Sequence, residues 1–267
     1  MNQKTKRALL IGINYYNSSS ELSGCVNDVE DVQKYLQHQD FTDFSILTDS
    51  EDDPYNELST APTRDNIINA MRKIVAATLP GDTLFVHYSG HGSQLDDQSD
   101  GSDADEFDGE DECICPVDCG REKFDKGYIR DDDLRKILVD NLVEGAKLRV
   151  FFDACHSGSA LDLPYMWKQG TRFNVENEIN HGTKDIIFIS GCSDRQTSAD
   201  SRFRWRDRGA FTWSLLKSLK KIHRAKCVYL WEDLIDLMRL RLKKYKYDQV
   251  PQISVISMRQ IKTPVDI

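Results

Sequence analysis

Two stretches of this chain carry residue types that could act together as a nucleophile and a base. One is Leu148-Arg149-Val150-Phe151-Phe152-Asp153-Ala154-Cys155-His156-Ser157-Gly158, the other Thr83-Leu84-Phe85-Val86-His87-Tyr88-Ser89-Gly90-His91-Gly92. In each, an apolar run stops in small or polar residues that hold one reactive side chain, Cys155 or His91. A thiolate attacks carbonyl carbon, and a histidine can take the thiol proton and return it to a leaving amine. The N–H groups of Gly92 and Cys155 could converge on the carbonyl oxygen as it becomes an oxyanion. Gly90, Gly92, Ala154 and Gly158 leave room for a peptide backbone to approach. A single cysteine near a strand end is usually inert packing. Two glycine-rich strand ends, one with Cys and one with His, point instead to a catalytic dyad.

For the dyad to form, both apolar runs must be buried strands, parallel and adjacent, with their carboxyl ends on one rim. Strands covered on both faces read as continuous hydrophobic runs, and ligand chemistry in α/β sheets sits at their carboxyl ends. The rest of the chain supplies such a sheet. Strands are expected at Arg7 to Asn14, Phe44 to Leu47, Asp185 to Ser190 and Ile253 to Ile256. Between them lie amphipathic helical patterns. One follows Cys25 and is capped by Asn27 or Asp28; another is capped by Thr63, with Ile67, Ile68, Met71, Ile74, Val75 and Leu79 as its apolar stripe. A third begins at Asp131-Asp132-Asp133, and the last two span Ala210 to Ile222 and Leu230 to Tyr245. A short hairpin is expected around Cys113 to Pro116, and Leu161 to Thr183 reads as an aperiodic linker. The alternation implies an α/β fold with a mainly parallel sheet and helices on both faces.

The chain has 267 residues, enough to bury a sizeable core, with 39% hydrophobic and 30% charged residues, as in globular proteins. A formal net charge of −9 argues against nucleic acid as partner. No apolar run reaches membrane-spanning length, and the segment Ala8 to Ile13 is too short for a secretory leader. Seven cysteines without an export signal read as reduced thiols in an intracellular, cytoplasmic protein.

These motifs resemble those of the metacaspases, a family of caspase-like cysteine peptidases. The matching residues are Tyr88 to Gly92, Asp153 to Gly158 and Leu22-Ser23-Gly24-Cys25-Val26-Asn27-Asp28. Pro116-Val117-Asp118, Asp131-Asp132 and Ser198-Ala199-Asp200 match as well, so the likeness covers nearly the whole chain. The resemblance implies a single caspase-like domain over 1–267, in which residues 1–165 correspond to a large subunit, 166–183 to a linker and 184–267 to a small subunit. It makes Cys155 the nucleophile and His91 the general base, and places Cys25, Asp28, Ser89 and Asp153 around the pocket for the residue before the scissile bond. Such pockets take Arg or Lys, and two carboxylates suit a cationic side chain. The partners implied are peptides or proteins with Arg or Lys at that position, acted on by a monomer. Self-processing after Lys168, Arg172 or Lys184 is a further expectation, since an exposed chain there could enter an active site.

The resemblance also implies calcium bound by Asp111, Asp131, Asp132 and Asp162, hard oxygen donors of the type this ion takes. The acidic loop between Asp96 and Glu112 offers several registers for Asp111, and Asp133 could replace a neighbour. That loop does not follow the EF-hand spacing: aligning Gly101 to the turn puts Phe107 where a bidentate Glu belongs. With no proline-rich stretch ahead of the first strand, as many type I members have, and no long central insert, as type II members have, the chain is expected to be a minimal type I-like core. Cys113, Cys115 and Cys119 lie outside the family pattern and do not have the spacing of common zinc sites. Two rival readings remain: a related peptidase without calcium dependence or with another residue preference, and a non-proteolytic protein that uses the fold to bind clients.

Overall fold

The structure is a computed structural model and describes residues 4–52, 60–96, 110–119, 127–154, 160–167, 174–175, 184–191, 200–203 and 206–267. Its strands, in chain order, are β1 (Lys6–Gly12), β2 (Asp43–Thr48), β3 (Thr83–Ser89), β4 (Gly92–Asp96), β5 (Glu110–Ile114), β6 (Ile129–Arg130) and β7 (Lys147–Asp153). They continue with β8 (Tyr165–Trp167), β9 (Asn174–Val175), β10 (Asp185–Ser190), β11 (Asp200–Phe203), β12 (Arg206–Gly209) and β13 (Gln252–Val255). The helices are α1 (Cys25–Gln37), α2 (Arg64–Ala76), α3 (Asp131–Arg135), α4 (Ala210–Arg224) and α5 (Trp231–Lys244).

Eight strands form the central sheet in the order β2-β1-β3-β7-β10-β13-β8-β9. The five from β2 to β10 are parallel, whereas β13, β8 and β9 add antiparallel strands at one edge. The expected mainly parallel sheet is therefore present. Its strands read as continuous apolar runs because alternate residues enter opposite cores. Leu9 and Ile11 of β1 pack on one face with α2, and Ala8 and Leu10 pack on the other with α1, α4 and α5. In β7, Leu148, Val150 and Phe152 join the first core and Phe151 the second. Each fully buried side chain of this size stabilises the fold by about 1.5–3 kcal/mol.

Arg149 interrupts that run without breaking the strand. Its buried guanidinium pairs with Asp266 at 2.7 Å and Asp185 at 2.8 Å, and lies 5.3 Å from the Trp231 ring centroid. A buried charge is tolerated only when paired in this way.

Two local expectations need correction. Helix α1 starts at Cys25 with Gly24 at the cap position, so Asn27 and Asp28 lie inside the helix and do not cap it. The first N–H groups are instead accepted from a distance: Asn14 Oδ1 takes Cys25 N–H at 2.9 Å and Val26 N–H at 3.4 Å. The segment from Leu161 to Thr183 is not wholly an aperiodic linker, because β8 pairs with β13 and β9 with β8. Thr63 caps α2 as expected, accepting from Asn66 N–H.

Candidate active site

The parallel pairing of β3 with β7 sets Ser89 opposite Asp153, and that of β1 with β3 sets Gly12 opposite Ser89. Three strand ends therefore lie side by side on one rim, and the chain leaves β3 toward His91 and β7 toward Cys155. Cys155 lies outside the described residues, as do Lys168 and Arg172 and the acidic loop from 97 to 109. The third basic residue, Lys184, is described; its ammonium donates to the carbonyls of Val139 and Asp140 at 2.7 and 2.8 Å.

His91 sits at the edge of a cleft of about 400 Å³ whose lining includes Tyr15, Ser20, Cys115, Cys119 and Tyr128. Its Nε2 is 2.7 Å from the Ser20 carbonyl. A carbonyl only accepts, so in the neutral ring Nε2 carries the hydrogen and Nδ1 is the basic nitrogen. The backbone of His91 is fixed as well. Its N–H donates to Tyr15 Oη at 2.9 Å, and its carbonyl accepts from Tyr88 Oη at 2.7 Å and from Cys115 N–H at 3.1 Å. The Tyr15 ring lies against the imidazole, centroids 4.7 Å apart. Burial pushes both phenols well above their usual pKa, so each stays protonated. Gly92, the expected oxyanion donor, begins β4.

The four residues expected around the specificity pocket are only partly brought together. Asp28 on α1 and Asp153 at the end of β7 are both buried, and both approach Gly209 at the start of α4. Ser89 Oγ donates to Asp28 Oδ2 at 2.9 Å, and Gly209 N–H donates to both Asp28 oxygens at 3.1 and 3.0 Å. Asp153 Oδ2 accepts from Thr212 N–H at 3.0 Å and from Thr212 Oγ1 at 2.9 Å. The two carboxylates thus receive the first N–H groups of α4, which has no side-chain cap of its own. Cys25 is buried at the start of α1, its carbonyl packed so closely on Gly12 that a Cβ there would come within 2.6 Å.

Sequence reasoning missed Gly209, Thr212, Ser20 and Tyr15, because each acts through a contact remote in the chain. His87, on β3, is tied to one of these residues. The ring is wholly buried, and Nε2 lies 3.0 Å from Thr212 Oγ1. Since that hydroxyl already donates to Asp153, Nε2–H must be the donor to it. His87 Nδ1, however, has no hydrogen-bond partner among the described residues. Burial lowers the His87 pKa to about 3, so the ring is neutral. The result is a buried chain, His87 to Thr212 to Asp153, that fixes the Asp153 carboxylate.

The carboxylates expected to hold calcium sit at the β5–β6–α3 corner and after the β7 loop. Asp131 is buried; it accepts Glu112 N–H at 2.7 Å and Asp132 N–H at 2.9 Å. Burial, and then the nearby charges of Asp111 and Asp132, raise its pKa to about 7 although both backbone hydrogen bonds lower it. Asp111 is paired with Arg130, and Asp162 stands 3.9 Å from Arg135. Among the described residues no group of three or more His, Cys, Asp or Glu side chains is arranged to hold a metal ion. The donor chemistry of Asp111, Asp131 and Asp132 nevertheless fits calcium, because like charge near a buried carboxyl is what a divalent cation relieves.

The chain is also similar to known proteins. The sequence model of the metacaspase peptidase C14 domain matches residues 6–164. Metacaspase-1A of Aspergillus oryzae is 35% identical over 94% of this chain and 67% of its own length. Metacaspase-3 of Trypanosoma cruzi is 39% identical over 94% of this chain and 70% of its own. Among solved structures, protein GSU0716 from Geobacter sulfurreducens is similar with a TM-score of 0.66 and 26% identity, covering 97% of both chains.

Proposed function

This chain belongs to the metacaspase family and is a cysteine-type endopeptidase with a caspase-like fold; on that premise we propose that it cuts peptide bonds after Arg or Lys, using Cys155 and His91. The observation that carries this reading is the register of β3 against β7, with Ser89 opposite Asp153. In the sequence His91 and Cys155 follow those partners by two residues each.

In this mechanism His91 Nδ1 takes the Cys155 proton while Nε2–H stays on the Ser20 carbonyl, which holds the ring against rotation. The thiolate attacks the scissile carbonyl, and the N–H groups of Gly92 and Cys155 receive the oxyanion. The imidazolium then protonates the leaving amine, and His91 activates water to release the acyl group. The substrate guanidinium or ammonium is received by Asp28 and Asp153, with Ser89 and Cys25 beside them. A pair of buried carboxylates is a strong discriminator, because a neutral side chain would leave their charge unmatched. The acting unit in this reading is a monomer. No helix among the described residues is long and apolar enough to cross a membrane.

Calcium is the proposed cofactor, held by Asp111, Asp131, Asp132 and Asp162. When bound it would supply positive charge that offsets the repulsion around Asp131. Arg130 and Arg135 stand in the same corner and would have to yield some of their hold on Asp111 and Asp162.

Hydrolysis of a fluorogenic Arg peptide, assayed with calcium, with magnesium and with chelator, tests the reading. Activity with calcium, little with magnesium and little in chelator is expected. Hydrolysis in chelator at the full rate would remove calcium from the account, and equal cutting after Arg and after Asn would remove the acidic pocket.

A further inference from the structure

The cleft that holds His91 has a second kind of chemistry in its wall. Three thiols, Cys113, Cys115 and Cys119, surround the turn that follows β5, and none is in a disulfide. The turn is closed by Cys119 N–H donating to the Pro116 carbonyl at 3.0 Å, which folds the chain so that the Cys115 thiol reaches the Cys119 sulfur and donates to it. Cys113 and Cys115 are buried, whereas Cys119 is partly exposed, and Cys115 and Cys119 line the same cleft as His91. Cys113 has another partner, the Ser93 carbonyl, to which its thiol donates at 3.3 Å.

We propose that Cys119 and Cys115 form a reversible disulfide in the wall of the His91 cleft, and that closing it lowers peptidase activity. The chemistry needs a two-electron oxidant, here a hydroperoxide. The Cys119 thiolate attacks the peroxide oxygen, the O–O bond breaks, and a sulfenic acid forms as water or alcohol leaves. The Cys115 sulfur then attacks the Cys119 sulfur, the S–O bond breaks, and the hydroxyl leaves as water with the Cys115 proton. Exposure favours Cys119 as the first thiol oxidised, and its hydrogen bond from Cys115 lowers its pKa. The buried Cys115 is the resolving partner.

The effect on catalysis follows from what Cys115 carries. Its N–H donates to the His91 carbonyl, and its own carbonyl accepts Tyr15 Oη at 2.6 Å, the same oxygen that receives His91 N–H. A disulfide requires its sulfurs about 2.05 Å apart, well inside hydrogen-bond separation. Drawing Cys115 toward Cys119 therefore pulls on both contacts that hold the His91 backbone. A displacement of about 1 Å at a catalytic group costs on the order of 100-fold in rate, and the oxidised enzyme should lose activity on that scale. This consequence rests on His91 being the general base; the disulfide itself does not.

The test separates the two. In a Cys155→Ala background, hydroperoxide treatment should leave the peptide spanning 110–119 lighter by two hydrogens, with no fragmentation between Cys115 and Cys119. The change should persist in Cys113→Ser and vanish in Cys115→Ser and Cys119→Ser. A bond that needs Cys113, or no mass loss, overturns the site whatever the enzyme cuts. With Cys155 intact, activity on the Arg peptide is then followed across a glutathione redox series. The unsubstituted protein should lose activity at a poise where Cys119→Ser keeps that of its own reduced form. If both fall together, Cys155 is responding and the switch is absent. If the reduced protein does not hydrolyse the peptide at all, the proposed peptidase reading fails, while the mass measurement still decides the disulfide.

Discussion

Replacing Gly209 with alanine would set a methyl group between the two buried carboxylates of the proposed specificity pocket, Asp28 and Asp153. An ideal Cβ at this position lies 2.0 Å from Asp153 Oδ2 and 2.6 Å from Asp28 Oδ2. The backbone of Gly209, at φ −65° and ψ 134°, is open to any residue, so the penalty is steric and not conformational. Neither carboxylate can simply step aside. Asp28 is held by Ser89 Oγ and Gly209 N–H, and Asp153 by two donors from Thr212. Making room breaks one or two hydrogen bonds to a charged acceptor, each about 1.5–3 kcal/mol, for a total of about 2–6 kcal/mol. In a domain of this size that lowers the melting midpoint by about 5–20 °C. The same loss at the pocket lowers kcat/KM on Arg substrates by roughly 30-fold to 10⁴-fold. Scanning calorimetry and a fluorogenic Arg peptide read the two effects on one preparation. An alanine variant that melts and cuts like the unsubstituted protein would refute the close approach of Asp28, Asp153 and Gly209.

Thr212→Val should cost about 1–3 kcal/mol of stability and loosen Asp153, because the lost hydroxyl leaves His87 Nε2–H unpaired in the core; Thr212→Ser should restore both melting point and turnover. Asp131 has a folded pKa near 7 against an unfolded value of 3.8, so the folded state binds the extra proton and stability falls as pH rises between these values. In chelator, Asp131→Asn loses one of the two backbone hydrogen bonds at every pH, but its stability relative to the unsubstituted protein should rise between pH 4 and pH 7, by up to about 4 kcal/mol; a difference that stays constant across that range would contradict the assignment. Intact-mass analysis after calcium addition should show cleavage after a basic residue between 166 and 184, absent from Cys155→Ala; identical fragments from both proteins would mean that another peptidase is at work.

What the sequence disclosed was what the sheet alone determines. Runs such as Leu84 to Tyr88 and Leu148 to Phe152 are apolar at every position or nearly so, and only parallel strands buried on two faces need that, so the neighbours β3 and β7 were legible. The candidate residues were read from the ends of those strands, of which His91 is described and Cys155 is not. What stayed hidden is tertiary. The first turns of α1 and α4 carry no capping side chain, and their N–H groups are served by Asn14, Asp28 and Asp153, far away in the chain. No local signal marks Gly209 among fifteen glycines, because the atoms that exclude a side chain there belong to α1 and β7. Strand β8 was missed because Tyr165 to Trp167 is too short to show a period of two and gains its pairing from β13 and β9. Arg149 reads as an interruption in sequence, and only Asp185, Asp266 and Trp231 explain why a core strand keeps it.

The central claim is that Cys155 is the nucleophile of a pocket that selects a cationic side chain, with His91 as its base. An arginyl chloromethyl ketone tests it directly, since the thiolate displaces chloride and leaves a stable thioether on the residue that attacked. Peptide mapping of the protein labelled with calcium present should find one adduct, on Cys155, formed more slowly in Asp28→Ala and in His91→Ala. An adduct on Cys25, Cys119 or Cys227 with Cys155 unmodified, or a Cys155→Ala protein that still hydrolyses the Arg peptide, would contradict the account.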